Sequence, residues 1–146
     1  MKKKWILLLL VVIVTALLFI SRSWNASSYT TILTIDDIAL RVAVADTDAE
    51  RTQGLSNTKP LASDEGMLFV FDAPGVQTFW MKDMNYSLDI IWIGEDKIVK
   101  KITENATPDS YPDTLFSSDV PVKYVLEVRS GFSKENNIQV GDIISF

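Results

Sequence analysis

The pattern of apolar and polar positions divides the chain into two unequal parts. Behind the cationic head Met1-Lys2-Lys3-Lys4, the stretch from Trp5 to Ile20 carries no charge, and the polar Ser21 to Ser28 follows it. From Thr30 onward apolar residues come in short runs set apart by turn-forming residues. Thr30–Ile35 and Ile38–Ala45 predict two strands around the turn-prone pair Asp36-Asp37. In the second, Ile38, Leu40, Val42 and Val44 alternate with Ala39, Arg41, Ala43 and Ala45, the period of a half-buried strand. Thr47-Asp48-Ala49-Glu50 matches a capping box, and Gly54 suits a left-handed helix end, so a short helix is expected over 48–53.

After a polar loop over 55–65, the same reasoning places strands at 66–72, 76–82, 87–93 and 97–103. Asp72-Ala73-Pro74-Gly75 is the expected turn of the first pair, and Gly94-Glu95-Asp96 that of the last. Residues 104–121, with Pro108, Pro112 and Pro121, are expected to form a long loop. Val122–Arg129 and Gly141–Phe146 supply closing strands, joined by a turn or helix near 132–137. The fold class expected is mostly β: a small barrel-like domain of about seven or eight short strands with one short helix.

The amino-terminal stretch bears on location. A spanning helix needs roughly 20 apolar residues and tolerates about 17, whereas a cleaved signal has a core of roughly 7–15. Trp5–Ile20 falls at the join, and the three lysines hold the amino terminus inside. Residues 1–22 are expected to be a membrane anchor or signal segment, 23–29 a linker, and 30–146 one extracytoplasmic domain. An uncleaved transmembrane anchor is favoured over a cleaved and secreted form, because no Ala-x-Ala site occurs.

Charge and composition then remove whole classes of function. All 19 acidic residues lie beyond residue 35, against 10 basic ones in the exported part, so the domain carries a net −9. Such a surface repels phosphate backbones, and no nucleic-acid partner is expected. The chain has no cysteine and no histidine, which takes away disulfides, zinc sites, thiol nucleophiles and Ser-His-Asp triads. Asp46-x-Asp48-x-Glu50 is acid-rich but is explained by helix capping, and no calcium-loop spacing follows it. Neither a metal nor a cofactor is expected.

One motif set runs the length of the domain: Arg51-x-x-Gly54-Leu55, Gly66-Met67-Leu68-Phe69, Phe79-Trp80-Met81-Lys82, Leu88-Asp89-Ile90-Ile91, Tyr124-Val125-Leu126-Glu127, then Gly131 and Gly141. In this order it resembles the family catalogued as domain of unknown function 192, prokaryotic proteins of which many sit behind an export signal or anchor. The resemblance covers roughly residues 32–146. It implies a small, mostly-β barrel-like fold and no assigned activity. Many members have Asn-Thr after Trp-Met-Lys, where this chain has Asp83-Met84; a ligand held by that Asn's amide donors would not be held by Asp83.

Charges inside apolar strands need a partner or a task, since burying one alone costs several kcal/mol. Arg51, Trp80, Met81, Lys82, Asp89 and Glu127 are therefore the candidate ligand-binding residues; none is assigned a catalytic role. A structural reading has Arg51 clamp Asp89 or Glu127 to hold helix to sheet, so that Glu127→Gln or Arg51→Ala lowers the melting temperature. A binding reading has these groups line a pocket floored by Trp80, suited to a small molecule, a saccharide or an envelope protein partner. A third reading makes Asp89 and Glu127 the carboxylate pair of a glycosidase-like hydrolase.

Overall fold

The computed structural model describes residues 29–146; the expected anchor and all but the last residue of the expected linker lie outside the described residues. Among the described residues no helix is long and apolar enough to cross a membrane. The chain folds as strand β1 (Thr31–Ile35), β2 (Ile38–Ala45), helix α1 (Asp48–Gln53), β3 (Glu65–Gly75), β4 (Thr78–Phe79), β5 (Leu88–Ile93), β6 (Val99–Ala106), a 3-10 turn (Pro108–Ser110), β7 (Phe116–Ser117), β8 (Val122–Arg129), α2 (Phe132–Glu135) and β9 (Ile144–Ser145). The mostly-β expectation holds, with two short helices where one was expected.

Seven strands form one curled sheet in the order β6-β5-β8-β3-β2-β1-β9, while β4 and β7 pair separately. All described neighbours in the large sheet are antiparallel except β2 and β3, which run parallel because α1 and its loop carry the chain back across the sheet. The half-barrel's two edges meet near their ends: Val99 N donates to Asp142 O, Ile144 N to Lys97 O and Gly141 N to Val99 O, each at 2.9 Å.

Both faces of the sheet are buried. One cluster draws on all seven strands, including Leu33, Val42, Leu68, Ile91, Val99, Leu126 and Ile144, and fills the inside of the curl. The other, with Met67, Phe69, Ile90, Trp92 and Val125, lies under a cover made of Leu55, Leu61 and Met81. Double burial explains why β5 is buried at every position, and why its sequence shows an apolar run rather than alternation.

Two expectations are corrected here. No hairpin closes at Asp72-Ala73-Pro74-Gly75. Instead β3 continues to Gly75, which pairs with Val122 of β8 across an irregular section after Val70. Pro74 sits in that section, where its missing N–H breaks no ladder bond. The strand expected over 76–82 shrinks to β4, which leaves the sheet and pairs with β7.

Candidate functional site

Helix α1 is fixed where its capping box forms. Thr47 accepts from Glu50 N, and the Glu50 carboxylate accepts from Thr47 N at 3.1 Å. The Thr47 hydroxyl, donating to that carboxylate at 2.8 Å, and then the Thr47 and Asp46 amides lower the Glu50 carboxyl from its ordinary value. The helix ends at Gly54 with φ 47° and ψ −135°, a conformation side-chain-bearing residues rarely adopt. Arg51 projects from the helix onto the sheet. Its Nη1 donates to Asp46 O at 2.6 Å and Val70 O at 2.7 Å, its Nη2 to the exposed Asp48 at 2.5 Å, and its guanidinium lies 5.4 Å from the centre of the Phe71 ring. The clamp expected of Arg51 thus exists, but it grips backbone carbonyls and Asp48, not Asp89 or Glu127.

Beside that clamp the aromatic residues of β3 and β4 stack edge to face. Phe79 lies 4.9 Å from Phe69 and 6.5 Å from Phe71, and 5.5 Å from Trp92 beneath it. Trp92 is plain core, fully buried and donating its indole N–H to Thr103 at 3.0 Å. Phe69, Phe71, Phe79 and Trp80 line a cleft of about 300 Å³, with Arg51 and Gln77 among its polar walls and Glu127 reaching it from β8. Trp80 is 49% exposed and stands at the junction with a neighbouring cleft of about 470 Å³ that Lys82 and Asp83 line. It is a wall shared by two clefts rather than the expected floor.

Glu127 is the anomaly of the site. Only 5% of it is exposed, it takes no hydrogen bond or ion pair among the described residues, and burial alone pushes its carboxyl from 4.5 up to about 8. Its neighbours across the sheet, Met67 and Ile90, are apolar. Close packing seals the strand behind it: a Cβ on Gly66 would meet Glu127 O at 2.9 Å. Nearby Tyr86, raised to about 12 by burial first and by the Glu127 charge among smaller causes, shares a 2.8 Å hydrogen bond with Thr58 instead.

Asp89 lies elsewhere. It is fully buried on the inner face with Ile91 and Ile93, and accepts from Asn105 N at 3.0 Å, Gly131 N at 3.2 Å and Ser133 N at 2.9 Å. It ties the end of β6 and the turn into α2 to the central sheet. Because Asp89 pairs with Val128 and Glu127 with Ile90, the two acids sit on adjacent strands but on opposite faces. They do not converge on one bond, so the Asp89–Glu127 hydrolase reading fails. Met81 is buried in the outer cluster and lines neither cleft.

The structure therefore brings Arg51, Trp80 and Glu127 together, puts Lys82 one cleft away, and withdraws Met81 and Asp89. The reading of the sequence overlooked Phe69, Phe71 and Phe79 as cleft walls. The signal available was the period of two in Met67, Phe69 and Phe71, which sets them on one face. Asp83 has φ 57° and its carbonyl accepts from Asn57 N at 2.8 Å. Asp, like Asn, takes that left-handed conformation readily, so Asp83 forms the turn at little cost.

A family profile for domain of unknown function 192, described as "Uncharacterized ACR", matches residues 31–146. The chain belongs to this family. Among solved structures, the DUF192 chain is similar to a protein of unknown function from Novosphingobium aromaticivorans DSM 12444, with 32% identity and a TM-score of 0.75, covering 80% of this chain and 84% of the other. It is also similar to a protein from Sinorhizobium meliloti 1021 described as a proposed transcription regulator, with 32% identity and a TM-score of 0.72, covering 78% and 89% of the two chains. A search among curated proteins finds no match.

Proposed function

We propose that this DUF192 domain is a small-ligand-binding module, held outside the cytoplasm by its amino-terminal segment, and that the cleft between α1 and the β3–β4 aromatics is its binding site. The observation that carries this reading is Glu127, a buried and unpartnered carboxyl reaching into a cleft walled by aromatic rings. An aromatic wall with one or two convergent polar groups is the usual make-up of a small-molecule site. The regulator description of the Sinorhizobium protein is not carried over as DNA contact, since 19 acids against 10 bases disfavour a phosphate partner.

A thermal-shift screen of the full chain in dodecyl maltoside tests it, using sugars, wall fragments, amines and short peptides. A ligand at about 100 times its Kd adds roughly 2.7 kcal/mol to the folded state and raises Tm visibly. Trp80→Ala, at an exposed position, should leave the free protein's Tm within about 2 °C and abolish the ligand shift. A ligand shift that survives Trp80→Ala unchanged would place binding elsewhere.

A further inference from the structure

The same cleft holds an acidic group with no cationic partner among the described residues, and that narrows the chemistry of its ligand. Arg51 is the cation lining it, yet its guanidinium is committed to Asp46 O, Val70 O, Asp48 and the Phe71 face. Nothing described pairs with Glu127. Tyr86, whose phenol feels the Glu127 charge, is bonded to Thr58; of the groups that act on Tyr86 in turn, Tyr29 and Glu65 bring no positive charge, and Arg41 beside them is paired with Asp64 and Glu65. Aromatic faces carry negative charge density and attract a desolvated cation, the more so where water is excluded. The net −9 of residues 30–146 draws cations toward the domain and repels anions.

We infer that the cleft takes an organic ammonium ligand, whose positive head pairs with the Glu127 carboxylate while the Phe79 and Trp80 rings pack against its carbon substituents. This rests on the ligand-binding reading above and adds the charge of the ligand to it. A neutral sugar offers this carboxyl hydrogen bonds alone and an anion favours only its protonated form, whereas an ammonium group pairs with the ionised form that burial disfavours. With Glu127 held up to about 8 when the cleft is empty, the group is mostly protonated at pH 7. Binding a cation ionises it, so the ligand enters and a proton leaves to solvent. Affinity then rises with pH up to about 8 and levels off above it.

Paired probes test the charge separately from the cleft: choline against its uncharged isostere 3,3-dimethyl-1-butanol, and benzylammonium against benzyl alcohol. Each is titrated calorimetrically into the full chain in dodecyl maltoside, with released protons counted by pH-stat at pH 7. The expected result is that at least one ammonium probe binds about tenfold or more tighter than its neutral partner and releases close to one proton per site. Glu127→Gln should remove both the preference and the proton, while wild-type far-UV circular dichroism certifies its fold. Equal or tighter binding of the neutral isosteres overturns the cation inference and leaves the cleft reading standing. Binding of neither member of either pair overturns the inference; whether the cleft reading falls with it is decided by the thermal-shift screen and Trp80→Ala. Preference retained in Glu127→Gln overturns the assignment to that carboxylate.

Discussion

Asp89→Ala should be among the most damaging single changes in the domain, lowering stability by about 4 kcal/mol. Three backbone donors, on Asn105, Gly131 and Ser133, lose their acceptor at once: Asp89 and the Ser133 bond are fully buried, and the other two bonds are partly buried. Each buried N–H left unmade costs about 1–3 kcal/mol. For a domain of this size the fall in Tm is roughly 15 °C. Asp89→Asn keeps the volume and one acceptor oxygen, so about half the loss is expected. Urea unfolding of the three proteins gives the comparison. A loss below about 1 kcal/mol in Asp89→Ala would show that these amides have other acceptors.

Glu127→Gln should act in the opposite direction, and increasingly so as pH rises. The carboxyl titrates at 4.5 in its ordinary state and at about 8 in the fold. Between those values the folded state holds a proton that the unfolded state has released, so this group's contribution to stability is full below about 4.5 and falls as pH climbs. The slope is about 1.4 kcal/mol per pH unit and vanishes above about 8. Groups common to both proteins cancel in the difference. The advantage of Glu127→Gln over wild type should therefore grow by on the order of 3 kcal/mol from pH 5 to pH 8, followed by chemical denaturation across that range. A constant offset at every pH would mean that Glu127 is already ionised in the fold. The structural-clamp reading expected this substitution to lower the melting temperature; with no partner for the carboxyl among the described residues, the expected sign is the reverse.

What the sequence disclosed, and what it withheld, follows from the range of the physics involved. Local signals were legible. Strand β2, from Ile38 to Ala45, alternates cleanly, and the Thr47–Glu50 capping box marks the helix start through groups three residues apart. Strand β8 was bounded correctly at Val122 and Arg129 by its apolar run. Strand order was not legible, because periodicity says which face a side chain takes but not which strand lies beside it. Nothing in the run Val122–Arg129 reveals that it inserts between β3 and β5. Pro74 and Gly75 look like a hairpin turn and are instead a bulged continuation of β3, since the long-range pairing of Gly75 with Val122 outweighs the local turn preference.

The candidate site divides along the same line. Glu127 stood out as a charge in an apolar strand, and Trp80 as an aromatic beside charged residues; both reach the cleft. Asp89 sent the same signal and has a different role, because only the fold places three backbone donors around it. Its face was correct from the alternation with Ile91 and Ile93. The acids were nevertheless grouped together, because one sequence does not reveal that faces matched on paper lie on opposite sides of the sheet. The aromatic walls were passed over because Phe69 and Phe71 resemble ordinary core until the gap beside them is seen.

The Glu127 carboxyl sits in the cleft with no partner among the described residues, and burial keeps it protonated at neutral pH. Carbon-13 NMR of the side-chain carboxyls in the full chain, titrated from pH 3 to pH 10, reads this directly, with the Glu127 resonance assigned by its disappearance in Glu127→Gln. A midpoint near 8 is expected. A midpoint in the ordinary glutamate range near 4.5 would contradict it, because the carboxylate would then be ionised and compensated in the free protein, leaving no missing charge for a ligand to supply.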